Sequence, residues 1–470
     1  MKLKNNDIVI PEDGSNPFIN CKLDRKKYAD ILTNIVESYA DGFVLAINNP
    51  WGEGKTTFVK MWRQDMINNG FQTLYYNAWE NDFENDVLIA LISELGELKN
   101  KPEQKFKDVL KKVVPLTSSL LPSIGKHLAK RLVGDEAVED LIETIGEYTE
   151  DQLKEATKKY SSRKKSIQDF KDSLESFVNE AGNGKPIVFM IDELDRCRPN
   201  YAVEVLEQIK HLFSVPGIVF VLSIDKIQLG YAVRGVYGSE NIDADEYLRR
   251  FIDLEYVIPE PNKRQLVDYF YDYFSFNEFF LSSRQSHLKH EASNFKNFAS
   301  AIIKGKEINL RRIEKLFSAS RVALKTVNPN DHLFPDLFLL LIFLKINKRE
   351  IFSKIKEKVF DVQQLIFEIE SIFQNVDDQD QPLFIYAIVN LAVAYHNYRY
   401  FDIYPFVPFD IEKDEYNNPI SINLKSKFDK TENNRDLLNS YVSLKRYIIV
   451  ERFNILPILN RIELLDPIVS

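Results

Sequence analysis

The stretch of sequence that decides the fold runs from Phe43 to Thr57 and reads FVLAINNPWGEGKTT. Its apolar first part predicts a buried strand, and its glycine-rich second part predicts a loop that holds the phosphates of a nucleotide. In such a loop backbone N–H groups surround the β-phosphate, the Lys55 ammonium reaches the β- and γ-phosphates, and the Thr56 hydroxyl can bind Mg²⁺. A helix that begins near Thr56 would direct the positive end of its dipole at the same anion. The predicted nucleotide-binding residues are Asn49, Pro50, Trp51, Gly52, Glu53, Gly54, Lys55, Thr56 and Thr57.

The loop departs from the usual G-x-x-x-x-G-K-[ST] pattern at its first position, where this chain has Asn49. After glycine, asparagine is the residue that best tolerates a left-handed or strained backbone. We therefore expect the loop to form with Asn49 in such a conformation. The substitution leaves open whether loop flexibility, nucleotide affinity and turnover are altered.

Composition limits the classes of protein to which the chain can belong. Its 470 residues predict two to four domains, and 44% apolar with 28% charged residues is typical of a globular protein. The net charge of −9 argues against a broad nucleic-acid-binding face, although it permits a local basic patch. The two cysteines, Cys21 and Cys197, are too few for a disulfide framework or a zinc site, so they predict a cytoplasmic setting.

Insertion into a membrane is not expected from the sequence. The longest uncharged stretch, Gln381 to Tyr398, has nearly the length of a spanning helix, but it contains Asn390, His396 and Asn397, and its alanines and isoleucines suit a buried helix equally well. The apolar run at 337–344 is far too short to span a bilayer. We expect no transmembrane segment, while peripheral contact with a membrane stays open.

Strands and helices alternate around the glycine-rich loop. Apolar runs predict further strands at 73–76, 186–191 and 217–224, and helical periodicity predicts helices at 23–39 and 200–213. Each of the later strands is a near-continuous apolar run, which is typical of a parallel sheet covered by helices on both faces. The sequence therefore predicts an α/β fold.

Two long segments outside this alternation are predicted to be helical. Residues 86–182 form a charged insertion whose lysines, dense at 99–112, favour a solvated helix face over a phosphate-binding patch. From residue 263 onward the pattern is helical and rich in aromatic residues, which suits a helical bundle. The aromatic residues between Tyr395 and Phe409 are interpreted as core packing, with a docking surface as the alternative.

The strand at 186–191 ends in two acids, Asp192 and Glu193. Downstream of a phosphate-binding loop, an apolar strand that ends in this way is the expected second half of a nucleotide site. Asp192 is placed to hold the Mg²⁺ shell, and Glu193 is placed to polarise an attacking water. The alternative is a pair of surface acids at the end of a strand.

The strand at 217–224 ends in Asp225, two residues after Ser223. A polar side chain at this position can hydrogen-bond the lytic water or the γ-phosphate. Asp225 could also cap the helix that follows, and the two roles are compatible.

Two pairs of arginines, Arg249-Arg250 and Arg311-Arg312, lie further along the chain. Arginines can stabilise the charge that develops on a transferred phosphoryl group, either in the same subunit or from a neighbouring one. Arginine pairs on helices are also commonly exposed or ion-paired, so both interpretations stay open.

Residues 191–199 read IDELDRCRP, which resembles the signature of the KAP family of P-loop NTPases. Three further blocks resemble elements of that family in the same order and spacing. They are WGEGKT at 51–56, YNAW at 76–79, and the strand at 219–225 with YLRRF at 247–251. Together the four blocks cover roughly residues 20–320.

The resemblance implies an additional-strand P-loop fold, related to AAA+ and STAND ATPases, in which helices sandwich a parallel sheet. It makes Arg249 or Arg250 a candidate arginine finger and Arg311 a candidate second-sensor residue. Asp195 and Arg196 also match the signature, and a structural role for them, such as an ion pair that fixes the turn, stays open beside a functional one. The implied domains are a lead-in at 1–22, a core at 23–262 with a helical insertion at about 86–182, a helical lid or sensor subdomain at 263–325, and an all-helical domain at 326–470.

Many members of that family carry membrane-spanning helices in the insertion between the two nucleotide motifs. In this chain the notable uncharged run of the insertion is Val113 to Gly125, and Pro115 and Pro122 interrupt it. A run of this length cannot span a bilayer. The chain therefore resembles the members that lack membrane spans.

The function implied by the resemblance is an ATPase that binds and hydrolyses Mg-ATP to drive a conformational or oligomerisation switch. Bacterial members are tied to defence against phage, which implies such a role, or a related regulatory one, for a homo-oligomer with a co-encoded effector. One alternative is a nucleotide-gated scaffold with little or no hydrolysis. Another is a nucleic-acid-stimulated motor, which the acidic net charge disfavours. No motif separates ATP from GTP.

Overall fold

The structure of the chain is a computed structural model. Its described residues form two units, one up to residue 260 and one from residue 261 onward. The sequence predictions for residues 1–7, for 118–151 of the insertion and for 401–409 of the aromatic segment lie outside the described part. The structure describes residues 8–83, 86–99, 101–117, 152–282, 284–306, 308–400, 411–416 and 419–463.

The first unit is built on a five-stranded sheet with the order β2-β3-β4-β1-β5. Every neighbouring pair in it is parallel. Since β4 lies between β1 and β3, an additional strand separates the strand before the glycine-rich loop from the strand that ends in two acids. The predicted fold class is therefore confirmed. The strands are β1 Val44–Asn48, β2 Thr73–Asn77, β3 Ile187–Asp192, β4 Ile218–Ile224 and β5 Leu254–Tyr256.

Helices cover both faces of the sheet. Alternate residues of each central strand belong to two different apolar clusters, as Val188 and Phe189 of β3 do. Burial on both faces explains why these strands read as continuous apolar runs. The helices of this unit are α1 Lys26–Ser38, α2 Lys55–Asn68, α3 Val87–Leu95, α4 Glu103–Thr117, α5 Gln152–Ala181, α6 Pro199–Leu212, α7 Lys226–Tyr237 and α8 Ala244–Leu248.

Strand register brings the polar strand ends to one edge of the sheet. Ser223 of β4 is opposite Ile47 of β1 on one side and opposite Asp192 of β3 on the other. Asn77, the last residue of β2, is opposite Asp192 as well. Because all four strands are parallel, their carboxyl ends meet where the glycine-rich loop leaves β1.

The second unit is mainly helical, and its helix Pro335–Asn347 is buried along almost its whole length. The structure adds a short antiparallel pair of strands, β6 Ile411–Lys413 and β7 Pro419–Ile422. The prediction of an all-helical domain at 326–470 is therefore wrong in this respect. The helices of this unit are α9 Lys263–Tyr273, α10 Glu291–Gly305, α11 Leu310–Ala323, α12 Pro335–Asn347, α13 Arg349–Lys356, α14 Val362–Ile372, α15 Gln381–Arg399, α16 Arg435–Tyr447 and α17 Leu456–Glu463.

The uncharged stretch that approaches the length of a membrane span forms α15. Most of its residues are buried within the unit. Its Asn397 side chain donates hydrogen bonds to two backbone carbonyls, those of Val450 and Phe453, at 2.7 and 2.6 Å. Within the described ranges, no helix has both the length and the apolar character needed to cross a bilayer.

Candidate nucleotide-binding site

The glycine-rich loop joins β1 to α2 and turns at its two glycines. Gly52 has a φ of 87° and Gly54, which precedes the first residue of α2, has a φ of 75°. Only glycine adopts such angles without strain, so these two positions are where the loop needs glycine. Asn49 is not among the residues with a positive φ. The expectation that Asn49 occupies a left-handed position is therefore wrong.

Asn49 instead anchors the start of the loop through its side chain. Its amide nitrogen donates to the carbonyl of Ile258, and its amide oxygen accepts from the N–H of Ile258, both at 2.9 Å. Its backbone N–H donates to the carbonyl of Ile224 at 3.2 Å. Glycine at this position would keep the backbone bond and lose both side-chain bonds.

Lys55 is buried, and its ammonium lies across its own loop. It donates to the backbone carbonyl of Asn49 and, at 3.3 Å, to that of Pro50. Burial lowers the pKa of the Lys55 ammonium, and the nearby carboxylates, led by Asp195 and Asp225, act in the opposite direction. The ammonium is thus held beside several acids at the edge of the sheet.

Asp192 is 1% exposed and is fixed by two donors. The Tyr75 hydroxyl donates to its Oδ2 at 2.9 Å, and the Glu193 N–H donates to its Oδ1 at 3.0 Å. Ser223, beside it in the sheet, is fully buried, and its hydroxyl has no hydrogen-bond partner in the described part of the chain. An unpartnered buried hydroxyl next to a buried carboxylate leaves an oxygen atom available to a ligand.

These oxygen atoms fit the Mg²⁺ ion that the sequence implies. The side chains that would hold it are Thr56, Asp192 and Ser223, and Mg²⁺ prefers oxygen ligands from one or two carboxylates together with substrate phosphates and water. No group of three or more His, Cys, Asp or Glu residues suited to a metal occurs in the described ranges.

Glu193 is the first residue after β3 and has a left-handed backbone with a φ of 61°. Its carboxylate pairs with the guanidinium of Arg196 at 2.6 Å, and the Asn77 side chain also hydrogen-bonds to it. Burial raises the pKa of the Glu193 carboxyl, which Arg196 partly opposes. A non-glycine residue in this region is strained, and such strain is commonly found at functional sites.

Asp195 connects three segments of the site. Its carboxylate accepts a hydrogen bond from the indole nitrogen of Trp51 in the loop, and another from the backbone N–H of Asp225 at 2.9 Å. Burial raises the pKa of the Asp195 carboxyl, while Lys55 opposes the rise. The turn after β3 therefore holds both the glycine-rich loop and the end of β4.

Asp225 caps a helix, as its position in the sequence allows. Its Oδ1 accepts from the N–H groups of Ile227 and Gln228, at 3.2 and 3.3 Å, in the first turn of α7. Its other oxygen accepts from the Trp51 N–H at 3.3 Å. Its predicted contact with the lytic water or the γ-phosphate stays a prediction.

The candidate arginines are exposed side chains, each described within its own unit. Arg249 is exposed at the end of α8 and pairs with Asp245 at 3.0 Å and with Glu246 at 3.5 Å. Arg250 is exposed, and its side chain has no ion pair within the described residues. Arg311 is exposed at the start of α11 in the second unit. Their roles as arginine finger and second sensor stay predictions.

Arg25 is a residue of the site that the sequence does not reveal. It is 4% exposed, and its guanidinium donates to the backbone carbonyls of Gly54 at 3.1 Å and Glu53 at 2.9 Å. Because Arg25 binds two successive backbone carbonyls of the loop, it stabilises the loop conformation; this is its bracing role. The sequence offers only an arginine ahead of a helix, a pattern too common to indicate this role.

Comparison with known proteins identifies the family of the chain. A sequence profile described as the KAP family P-loop domain matches residues 25–327, and no curated protein matches the chain. Similar solved structures include the Aeropyrum pernix ORC2 protein in ADPNP-ADP complexes, with 13% identity, a TM-score of 0.31 and 94% of each chain covered. Another is Drosophila ORC bound to DNA, with 12% identity, a TM-score of 0.34, and 97% of this chain and 88% of that chain covered. Because the profile spans more than half of the sequence, the chain belongs to the KAP family of P-loop NTPases.

Proposed function

We propose that the chain binds Mg-ATP at the edge of the sheet and hydrolyses it, and that turnover drives a conformational or oligomerisation switch. The observation that carries the proposal is the connection through Asp195. Its carboxylate accepts hydrogen bonds from Trp51 of the glycine-rich loop and from Asp225 at the end of β4. A movement of the loop on phosphate binding is therefore transmitted through Asp195 to the turn that contains Glu193.

Each side chain has a role in this proposal. Lys55 exchanges its two backbone carbonyls for phosphate oxygens, and the left-handed glycines let backbone N–H groups face the β-phosphate. Mg²⁺, when bound, neutralises charge on the β- and γ-phosphates. Glu193 takes the proton of the attacking water, and its raised pKa moves the carboxyl towards the range that suits a general base.

Glu193 does not act freely in this arrangement, because Arg196 holds its carboxylate at 2.6 Å. Hydrolysis requires that this ion pair open or rotate so that an oxygen of Glu193 faces the water. An enzyme built in this way turns over slowly until nucleotide or a partner rearranges the turn. This favours a regulated switch over a constitutive ATPase.

The same ion pair supports a second candidate function, a nucleotide-gated scaffold with little or no hydrolysis. If Arg196 keeps Glu193 occupied throughout, the chain binds ATP without cleaving it. Phosphate release by the wild type and by Glu193→Gln separates the two functions. A wild-type rate well above that of Glu193→Gln supports the ATPase, whereas equal rates near zero support the scaffold.

Binding itself is tested with Lys55→Ala, because both functions need the Lys55 ammonium at the phosphates. We expect this variant to lose affinity for a fluorescent ATP analogue, while exchange of the exposed Lys60 for alanine leaves affinity unchanged. Binding that persists in Lys55→Ala would place the nucleotide elsewhere.

The biological part of the proposal rests on family resemblance. It assigns the chain to the cytoplasm, in a bacterial system of defence against phage or a related regulatory system, with a co-encoded effector protein as partner. The unpaired cysteines Cys21 and Cys197 are compatible with a reducing compartment. Mass measurement in solution, with and without a non-hydrolysable ATP analogue, tests the switch. An oligomer that forms only with nucleotide supports the oligomerisation switch, and an unchanged mass rules out oligomerisation and restricts the proposal to a conformational switch.

A further inference from the structure

The second unit contains a cavity of about 250 Å³ that combines carboxylates with aromatic rings. Its carboxylates are Glu291 at the start of α10 and Asp336 in the first turn of α12. Its aromatic rings belong to Phe334, to Tyr386 of α15 and to Tyr447 at the end of α16, and the imidazoles of His290 and His332 line it as well. Four helices of a single unit thus converge on one polar cavity.

The charge of Glu291 is already balanced. Its Oε2 pairs with the buried guanidinium of Arg284. Its Oε1 accepts from the Leu333 N–H at 3.1 Å and lies 3.4 Å from Nδ1 of His332. This carboxylate therefore has a cation of its own and shapes the cavity without requiring another.

Asp336 has no such partner. It is 6% exposed, its Oδ2 accepts from the neutral amide of Asn390 at 2.6 Å, and the backbone N–H groups of Asp336 and Leu337 also donate to its carboxylate. In the described part of the chain it forms no ion pair. Burial raises the pKa of its carboxyl to about 6, so most of the population is ionised at neutral pH. A buried carboxylate without a counter-ion is unfavourable, and a cation in the cavity would relieve it.

The aromatic walls favour a particular kind of cation. Phe334 has a left-handed φ of 51°, a strained conformation for an aromatic residue, and its ring packs against Phe453 with centroids 4.5 Å apart. Tyr386 and Tyr447 also line the cavity, and Tyr447 is largely exposed. The faces of aromatic rings attract organic cations, whereas a metal site made of oxygen ligands needs no aromatic ring.

We propose that this cavity binds a small organic cation, an ammonium or guanidinium group, with Asp336 as its counter-ion and the tyrosine rings as its walls. A volume of about 250 Å³ is below the roughly 300–1,000 Å³ of pockets for drug-sized ligands, so the ligand is small. A free metabolite and a lysine or arginine side chain of a partner protein offer the same chemistry. The proposal does not depend on the nucleotide site.

Calorimetric titration of the full chain at neutral pH tests the proposal. The probes are n-butylguanidinium, n-butylammonium and the neutral 1-butanol. We expect the wild type to bind at least one of the two cations and to bind butanol far more weakly. Binding of neither cation at 10 mM, or equal binding of butanol, overturns the proposal.

Asp336→Asn keeps the size of the side chain and an acceptor for Asn390, and it removes the charge. We expect about 30-fold weaker cation binding, the low end of the loss when one partner of a buried charge pair is removed. The control Glu357→Gln removes one charge from the exposed surface of the same unit and should bind as the wild type does. Undiminished binding by Asp336→Asn overturns the proposal.

If Asp336→Asn does not fold, Tyr447→Leu replaces it, because this side chain is largely exposed. Loss of its ring face should weaken cation binding several-fold, and unchanged affinity overturns the proposal. The source of the cation is then separated with the capped tripeptide Gly-Arg-Gly. Tighter binding of the peptide than of n-butylguanidinium identifies a protein side chain, and tighter binding of the free cation identifies a metabolite.

Discussion

The indole nitrogen of Trp51 donates a hydrogen bond to the carboxylate of Asp195, which is 144 residues further along the chain. One residue belongs to the glycine-rich loop and the other to the turn after β3. The Asp225 N–H donates to the same carboxylate, so three loops at one edge of the sheet share a single acceptor. The two halves of the nucleotide site are thereby mechanically joined before any nucleotide binds.

Trp51→Phe tests this connection, since it removes the N–H donor and keeps a ring. We expect the free energy of unfolding to fall by about 1.5–3 kcal/mol, because a buried charged acceptor loses one hydrogen bond. Urea unfolding measures the change. Trp79→Phe is the matched control, as that indole is also exposed but is not bonded to Asp195. Equal losses in the two variants would show that the Trp51 bond contributes nothing.

Much of the core could be predicted because its signals are local. A parallel sheet buried on both faces gives continuous apolar runs, and the acids that follow β3 and β4 mark the carboxyl edge. The cap formed by Asp225 was likewise predictable, since its partners are two and three residues away. Features of this kind depend on spacing that the sequence displays directly.

The parts of the site that could not be predicted from the sequence depend on contacts between distant residues. Asn49 bonds to Ile258, which is 209 residues away, and Arg25 reaches Gly54 across 29 residues. Ser223 stands beside Asp192 only because β4 inserts between β1 and β3. No local pattern encodes such pairings, which is why the role of Asn49 was predicted wrongly and Arg25 was not predicted at all.

Asn49→Gly restores the residue that the usual loop pattern has at this position, yet we expect it to be harmful. It removes both side-chain bonds to Ile258 and leaves the buried N–H and carbonyl of that residue unpaired. The free energy of unfolding should fall by about 1–3 kcal/mol, as for other unsatisfied buried groups. Thermal and urea unfolding give the value. A glycine variant as stable as the wild type would show that the Asn49 side chain does not anchor the loop.

Arg25→Lys is expected to weaken nucleotide binding without removing any loop residue. A single ammonium cannot reproduce the planar, two-pronged donation to the carbonyls of Glu53 and Gly54. The loss of one charge-assisted hydrogen bond corresponds to about tenfold lower affinity, measured with a fluorescent ATP analogue. Lys27→Met, at an exposed position in the first turn of α1, the helix that begins directly after Arg25, should leave affinity unchanged. Equal affinity of Arg25→Lys and the wild type would contradict the bracing role.

Arg196→Met should change the pH dependence of phosphate release. Arg196 opposes the rise in the pKa of Glu193, so without it the pKa rises further and more of the carboxyl is protonated at a given pH. A protonated carboxyl cannot accept a proton from water, and the acidic limb of the rate profile should therefore move to higher pH. Arg198→Met, whose guanidinium pairs with Asp82, is the control. An acidic limb that does not move would argue that Glu193 is not the base.

Asp336 should make the second unit less stable as the pH rises, whereas a carboxylate that is ion-paired in the folded state has the opposite effect. Its pKa is raised from 3.8 to about 6 in the folded chain, mainly by burial, with Glu291 adding to the rise. The folded state therefore holds the proton more tightly than the unfolded state, and stability is lost as pH rises from about 4 to 6. Relative to Asp336→Asn, which cannot titrate, the wild type should lose roughly 3 kcal/mol over this range and then level off. Urea unfolding at several pH values measures the difference between the two proteins.

Asp378→Asn is the control and should give a pH dependence of the opposite sign, since Lys430 lowers the pKa of that exposed carboxyl. A difference between wild type and Asp336→Asn that stays flat from pH 4 to 7 would mean that Asp336 is not buried without a counter-ion.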